Sequence, residues 1–83
     1  MSVAEFRIRL AAVAQQLPAS ELADACHKVD LVHGQLRSAW YTSDHVSSQA
    51  ALVAAAAAVE QLKEIVTGLE DVAAGIDRYT AQL

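Results

Sequence analysis

The feature that most restricts this chain is a spacing that runs unbroken through its second half. Leu52, Ala55, Val59, Leu62, Val66, Leu69, Ala73, Ile76, Thr80 and Leu83 follow one another in alternating steps of three and four residues. Such a repeat keeps one face of an α-helix turned toward a partner helix, and no alternation of strand type produces it. Ile65, Val72 and Tyr79 lie beside the seam and widen it. A helix that is apolar over more than its contact seam has more than one neighbour to satisfy.

The first half carries the same spacing in two pieces. Val3, Phe6, Leu10, Val13 and Leu17 make one, and Leu22, Cys26, Val29, His33, Leu36 and Trp40 the other. The step from Leu17 to Leu22 is one residue longer than the repeat allows, and Pro18 sits inside it. A proline there removes an amide donor and crowds the preceding turn, so it ends or kinks the helix. Ser2 and Glu5 have the spacing of a capping box. Thr42, Ser43 and Asp44 form a cap-rich turn after the aromatic pair Trp40-Tyr41.

These marks predict an all-α chain with a single helical domain over residues 1–83. A first arm over residues 2–40, kinked at Pro18, turns at 41–43 and returns as a helix over 44–82, a kinked antiparallel hairpin. The alternative is a three-helix bundle in which Pro18 to Ser20 is a loop. Length favours the hairpin, because two arms of about 39 residues each reach about 58 Å. In the bundle, most of the long helix has only one partner. The hairpin register sets Leu10 opposite Ala73, Leu22 opposite Leu62 and Cys26 opposite Val59. Thr67 and Gly68, both weak helix formers, fall level with the kink.

Composition says what the hairpin does with its apolar residues. The chain is 54% hydrophobic, but 18 of those residues are alanine. The run Ala54 to Ala58, facing Cys26 to Val29, lets two backbones come close. The larger side chains Leu62, Ile65, Val66, Leu69, Val72, Ile76 and Tyr79 form a stripe too wide for one hairpin to cover. A chain of this size buries only about 60% of its unfolded surface. The expectation is dimerisation into a four-helix bundle, as a homodimer or with another helical protein.

Other classes are disfavoured. A net charge of −4 without a basic block argues against nucleic acid and anionic lipid. The longest apolar run, Ala50 to Val59, is far short of the roughly 20 residues of a spanning helix. Arg7 and Arg9 before Leu10 to Ala14 resemble a leader only briefly, since a secretory core needs about 7–15 apolar residues. The expected location is the cytoplasm, or outside it by a route without a cleaved leader.

Few residues could carry chemistry. Cys26, Asp30 and His33 fall on one helix face with types that could ligate a transition metal, but the facing alanines offer no fourth ligand. A small metal- or ligand-binding bundle built on these three is the alternative function. His27, His33 and His45 have no nucleophile placed to be activated, and the chain has no phosphate-binding loop. The expectation is a protein that is not an enzyme and has no cofactor. Trp40 and Tyr41 either plug the end of the bundle or form a recognition anchor.

The stretch Leu36-Arg37-Ser38-Ala39-Trp40, followed by a turn and a second helix, resembles the Trp-x-Gly (ESAT-like) proteins of type VII secretion systems. That resemblance implies helical hairpins that dimerise and serve as secreted substrates or partners of larger effectors. Two departures stand out: Thr42 occupies the place of the motif glycine, and Tyr79 lies four residues before Leu83 without the acidic residue of the export signal. The segments Met1 to Glu5 and Tyr79 to Leu83 also resemble a group of short alanine-rich actinobacterial helical hairpins, which implies no activity. The function expected is therefore a helical interaction protein that self-associates or pairs with a helical partner.

Overall fold

The computed structural model of the protein describes all residues, Met1 to Leu83. It holds three helices and no strand: α1 (Val3–Gln15), α2 (Ala19–Ala39) and α3 (Val46–Ala81). Both α1 and α2 pack on α3, and α1 does not pack on α2. The molecule is a rod of 63 × 15 × 14 Å, two helices thick. It is a hairpin, with one long helix facing an arm broken at residues 16–18. The three-helix bundle is excluded, because α1 would have to fold back against α2.

The break has a local cause. Gln16 and Leu17 close the end of α1 with short-range bonds from their amides to the Val13 and Ala14 carbonyls, at 3.1 and 3.2 Å. Pro18 then has no amide to continue the ladder, and its backbone (φ −85°, ψ 38°) leaves the helical region. The Leu22 amide bonds to the Pro18 carbonyl at 2.9 Å and starts α2 at once. The long helix α3 runs through Thr67 and Gly68 without interruption. At the chain start, the Ser2 half of the capping box is formed, the hydroxyl accepting from the Glu5 amide at 3.1 Å.

The turn is longer than the sequence predicts, spanning residues 40–45, and α3 begins at Val46 rather than at residue 44. The cap is His45, whose Nδ1 accepts from the Ser47 amide at 3.1 Å. The serine and aspartate types expected there are not the cap, because Ser43 is engaged elsewhere. Its hydroxyl oxygen accepts from the His45 amide at 3.3 Å and lies 2.9 Å from Ser48 Oγ. Ser48 Oγ donates to the His45 carbonyl at 2.8 Å, so its one proton is used and Ser43 is the donor between the two hydroxyls. Gln49 closes the loop by donating to the Ser43 carbonyl at 3.0 Å. Four short polar residues thus bond one another and the backbone, and Ser48 is buried with its hydroxyl satisfied.

The seam between the arms follows the expected register at its centre. Cys26 and Val59 are its most enclosed residues, 8% and 4% exposed, and the Cys26 thiol donates to the Val59 carbonyl at 3.7 Å. A thiol can reach a backbone carbonyl on the neighbouring helix only if the backbones are close, which Ala55, Ala56 and Ala58, all half-buried, permit. Toward the free end the register changes. Phe6, Leu10, Ala14 and Leu17 face α3, whereas Val3 and Val13 are exposed. The spacing alone puts Val3 and Val13 in the seam; α1 has instead rotated so that Ala14 replaces Val13. Freed from α2 by the break, α1 settles where the Phe6 ring meets Tyr79 edge-on, centroids 5.9 Å apart at 85°. Leu83, past the end of α3, is exposed and makes no part of the seam.

Candidate interaction surface

The residues singled out in the sequence divide into three places. Leu62, Val66, Leu69 and Ile76 are half-buried in the seam, spent on holding the arms together. Ile65 and Val72 stand outside it, each 49% exposed, and Tyr79 keeps 50% of its surface exposed beside its contact with Phe6. At the tip, Trp40 is half-buried where α2 ends, its amide bonded to the Leu36 carbonyl at 2.9 Å, while Tyr41 points into solvent at 87% exposure. The two aromatics thus differ in exposure, Trp40 half-buried and Tyr41 largely in solvent.

Helix geometry defines the surface that Ile65, Val72 and Tyr79 belong to. They recur every seven residues, each one position before a seam residue, and the same row includes Ala51 and Ala58. The opposite flank of α3 carries Ala56, Lys63, Glu70 and Asp77 at the same interval. In an antiparallel pair, like flanks lie on the same side. A shallow groove lined by Ala23, Cys26, Lys63, Val66 and Thr67 agrees with this, bringing Ala23 of α2 beside Lys63 of α3. Asp30 and Arg37 follow Ala23 on that polar side, and Ala25, Val32 and Ala39 fall on the other, next to Ala51 and Ala58. Along α2 and α3, one flank of the seam is thus charged and the other apolar.

The sequence pattern does not single out Val32, Ala51 and Ala58, because the seam and the large side chains dominate it. The same repeat taken one position earlier contains this row. From residue 51 to 79 the row is about 42 Å long at 1.5 Å per residue. Contiguous apolar surface on that scale marks an interaction site more often than chance exposure does.

The exposed area points the same way. A compact folded monomer of 8.8 kDa exposes about 4,800 Å² by the usual mass scaling. This chain exposes 6177 Å². The excess, about 1,400 Å² per chain, is that of a rod two helices thick, and a further helical surface would cover part of it. Only Cys26, Ser48 and Val59 are buried.

The candidate metal ligands are not gathered. Cys26 is buried and bonded to the Val59 carbonyl, Asp30 is exposed and His33 is half-buried. No group of three or more His, Cys, Asp or Glu side chains converges anywhere in the chain. The one ion pair, Lys63 with Glu60 at 3.5 Å, is a solvent-exposed pair within one helix and contributes little. No helix is long and apolar enough to cross a membrane.

No protein-family model, curated protein or solved structure matches the chain. The apolar side of the rod is the feature on which a function can rest.

Proposed function

We propose that this protein is a non-enzymatic helical interaction module, whose apolar side is completed by another helical surface. The observation that carries the reading is the exposed row of Ile65, Val72 and Tyr79 beside the seam of a hairpin that buries only three residues. Burial of apolar surface is worth about 25 cal/mol per Å², and a hairpin with so few buried residues holds too little of it alone. Association supplies the rest. The resemblance of Leu36 to Trp40 to the Trp-x-Gly proteins favours a setting in type VII-like secretion, as a substrate or a partner of a larger effector.

The test is a melt followed by circular dichroism across a hundredfold range of protein concentration, with light scattering on the same samples. A midpoint that rises with concentration, or an isolated chain that is poorly folded until a helical partner is added, is the expected result. A monomer with a sharp, concentration-independent melt at micromolar concentration would sink the proposal. The setting has a separate test: export of the tagged chain into the medium should stop when the ATPase of the secretion system is inactivated.

A further inference from the structure

We infer that α1 is a strap. It opens as a unit about residues 16–18 while α2 and α3 stay paired, and so sets how much of α3 the free end of the rod presents.

The two pieces of the broken arm are held very differently. All three enclosed residues, Cys26, Ser48 and Val59, lie where α2 meets α3 or beside the turn that joins them. The helix α1 has no buried residue. The one hydrogen bond between facing helices, from the Cys26 thiol to the Val59 carbonyl, belongs to α2, and the one ion pair lies within α3. What holds α1 is a strip of half-buried side chains, Phe6, Leu10, Ala14 and Leu17, with a single ring contact from Phe6 to Tyr79. Much of its apolar surface is left out of that contact: Val3, Ile8 and Val13 are 53%, 69% and 50% exposed.

The break supplies the hinge. The Gln16 and Leu17 amides bond backward to Val13 and Ala14, and the next bond of the arm, from Leu22 to Pro18, already belongs to α2. No backbone hydrogen bond joins a residue before Pro18 to one after it, and proline has no amide to make one. The strap can therefore swing without breaking a bond in either helix. Away from α3, a helix of 13 residues falls at the length, about 12–15 residues, where isolated helices are marginal in water. Opening thus ends in melting. The free end of α3 has no such break, because it extends a helix already paired with α2, and extension needs no new nucleus.

Opening uncovers Leu69, Ala73 and Ile76, which are half-buried while α1 packs on α3. These adjoin Val72 and Tyr79, already half-exposed, so the apolar surface of the free end widens when the strap leaves. The device works within one chain, whether or not a partner is bound.

Hydrogen–deuterium exchange of the full chain, followed along the sequence, is the test. Amides of residues 7–16 should exchange on the order of 10- to 100-fold faster than those of residues 23–36 and 52–63, although all are helical. Residues 70–80 of α3 should fall between. Phe6→Ala should speed exchange in α1 further and leave residues 23–36 unchanged. Pro18→Ala lets the bond ladder run from α1 into α2, and the gap between them should narrow. Equal protection along both pieces of the arm overturns the strap, and so does a Phe6→Ala variant that affects α1 and α2 alike. A gap that Pro18→Ala leaves unchanged overturns the hinge at residues 16–18. None of these outcomes depends on oligomeric state, so the association reading stands or falls separately by its concentration-dependent melt.

Discussion

Along one flank of the hairpin seam, α3 carries Ala56, Lys63, Glu70 and Asp77; along the other, at the same interval, it carries Ala51, Ala58, Ile65, Val72 and Tyr79. Both flanks belong to one unbroken helix, and both border the same seam. Lys63, Glu70 and Asp77 on one side and Ile65, Val72 and Tyr79 on the other are all exposed in the single chain. What separates them is the cost of that exposure. A charged flank is at ease in water, and its ion pairs add almost nothing. An apolar flank left wet forfeits the hydrophobic stabilisation that a chain with so thin a core most needs. A seam thus shows what a hairpin uses, while its flanks show what the hairpin lacks.

That contrast can be broken most directly by charging the apolar flank. The double variant Ile65→Glu/Val72→Glu should weaken dimerisation on the order of 1,000-fold. Each of four half-exposed side chains per dimer contributes about 1 kcal/mol. Sedimentation equilibrium measures it, and an unchanged dissociation constant would show that the flank is not the interface.

Next in size comes the seam itself. Val59→Ala should cost about 2 kcal/mol in a denaturant melt, since it opens space at the most enclosed point and loosens the contact with Cys26. If Val59→Ala were neutral while the flank variant unfolded the chain, the two regions would have exchanged roles.

Glycine gives a comparison by sign. Gly34 lies on the outer side of α2 with nothing within 4 Å of an added Cβ, so Gly34→Ala should stabilise the protein by about 1 kcal/mol. Gly68 is equally open in the single chain. On the apolar side, Gly68→Ala should gain nothing or lose stability when the dimer is populated. Equal gains at the two sites, measured by chemical denaturation, would argue that both faces are free.

Smallest of all should be the polar flank. Lys63→Ala with Glu70→Ala is expected to shift stability by no more than about 0.5 kcal/mol and to leave the oligomeric state alone. A large loss there would mean that the charged side is also covered.

Much of this architecture is legible in the order of residues. The break at Pro18 and the pairing of Cys26 with Val59 follow from spacing, because a helix repeats every 3.6 residues whatever surrounds it. The surplus width of the stripe at Ile65, Val72 and Tyr79 is legible for the same reason. Three details are not. His45 caps α3 because Ser43 is drawn into bonds with Ser48 and the His45 amide, a choice among neighbours of similar capping ability. Val13 faces solvent and Ala14 the seam, because α1, cut off from α2, rotates to seat Phe6 on Tyr79. Trp40 and Tyr41 adjoin in sequence, yet one is half-buried and the other free.

The periodic part of this protein is written in the order of its residues: the helical arms, the break at Pro18 and the alignment of the arms at the centre of the seam. Those depend on backbone hydrogen bonds and on a repeat that each helix carries within itself. Which apolar residues the hairpin consumes and which it leaves over is settled by how the helices pack. That division depends on how closely two helices approach and how each is rotated, quantities set by packing across the seam and not by order along the chain. Part of what is left over is the row of Ile65, Val72 and Tyr79, on which the proposed association rests.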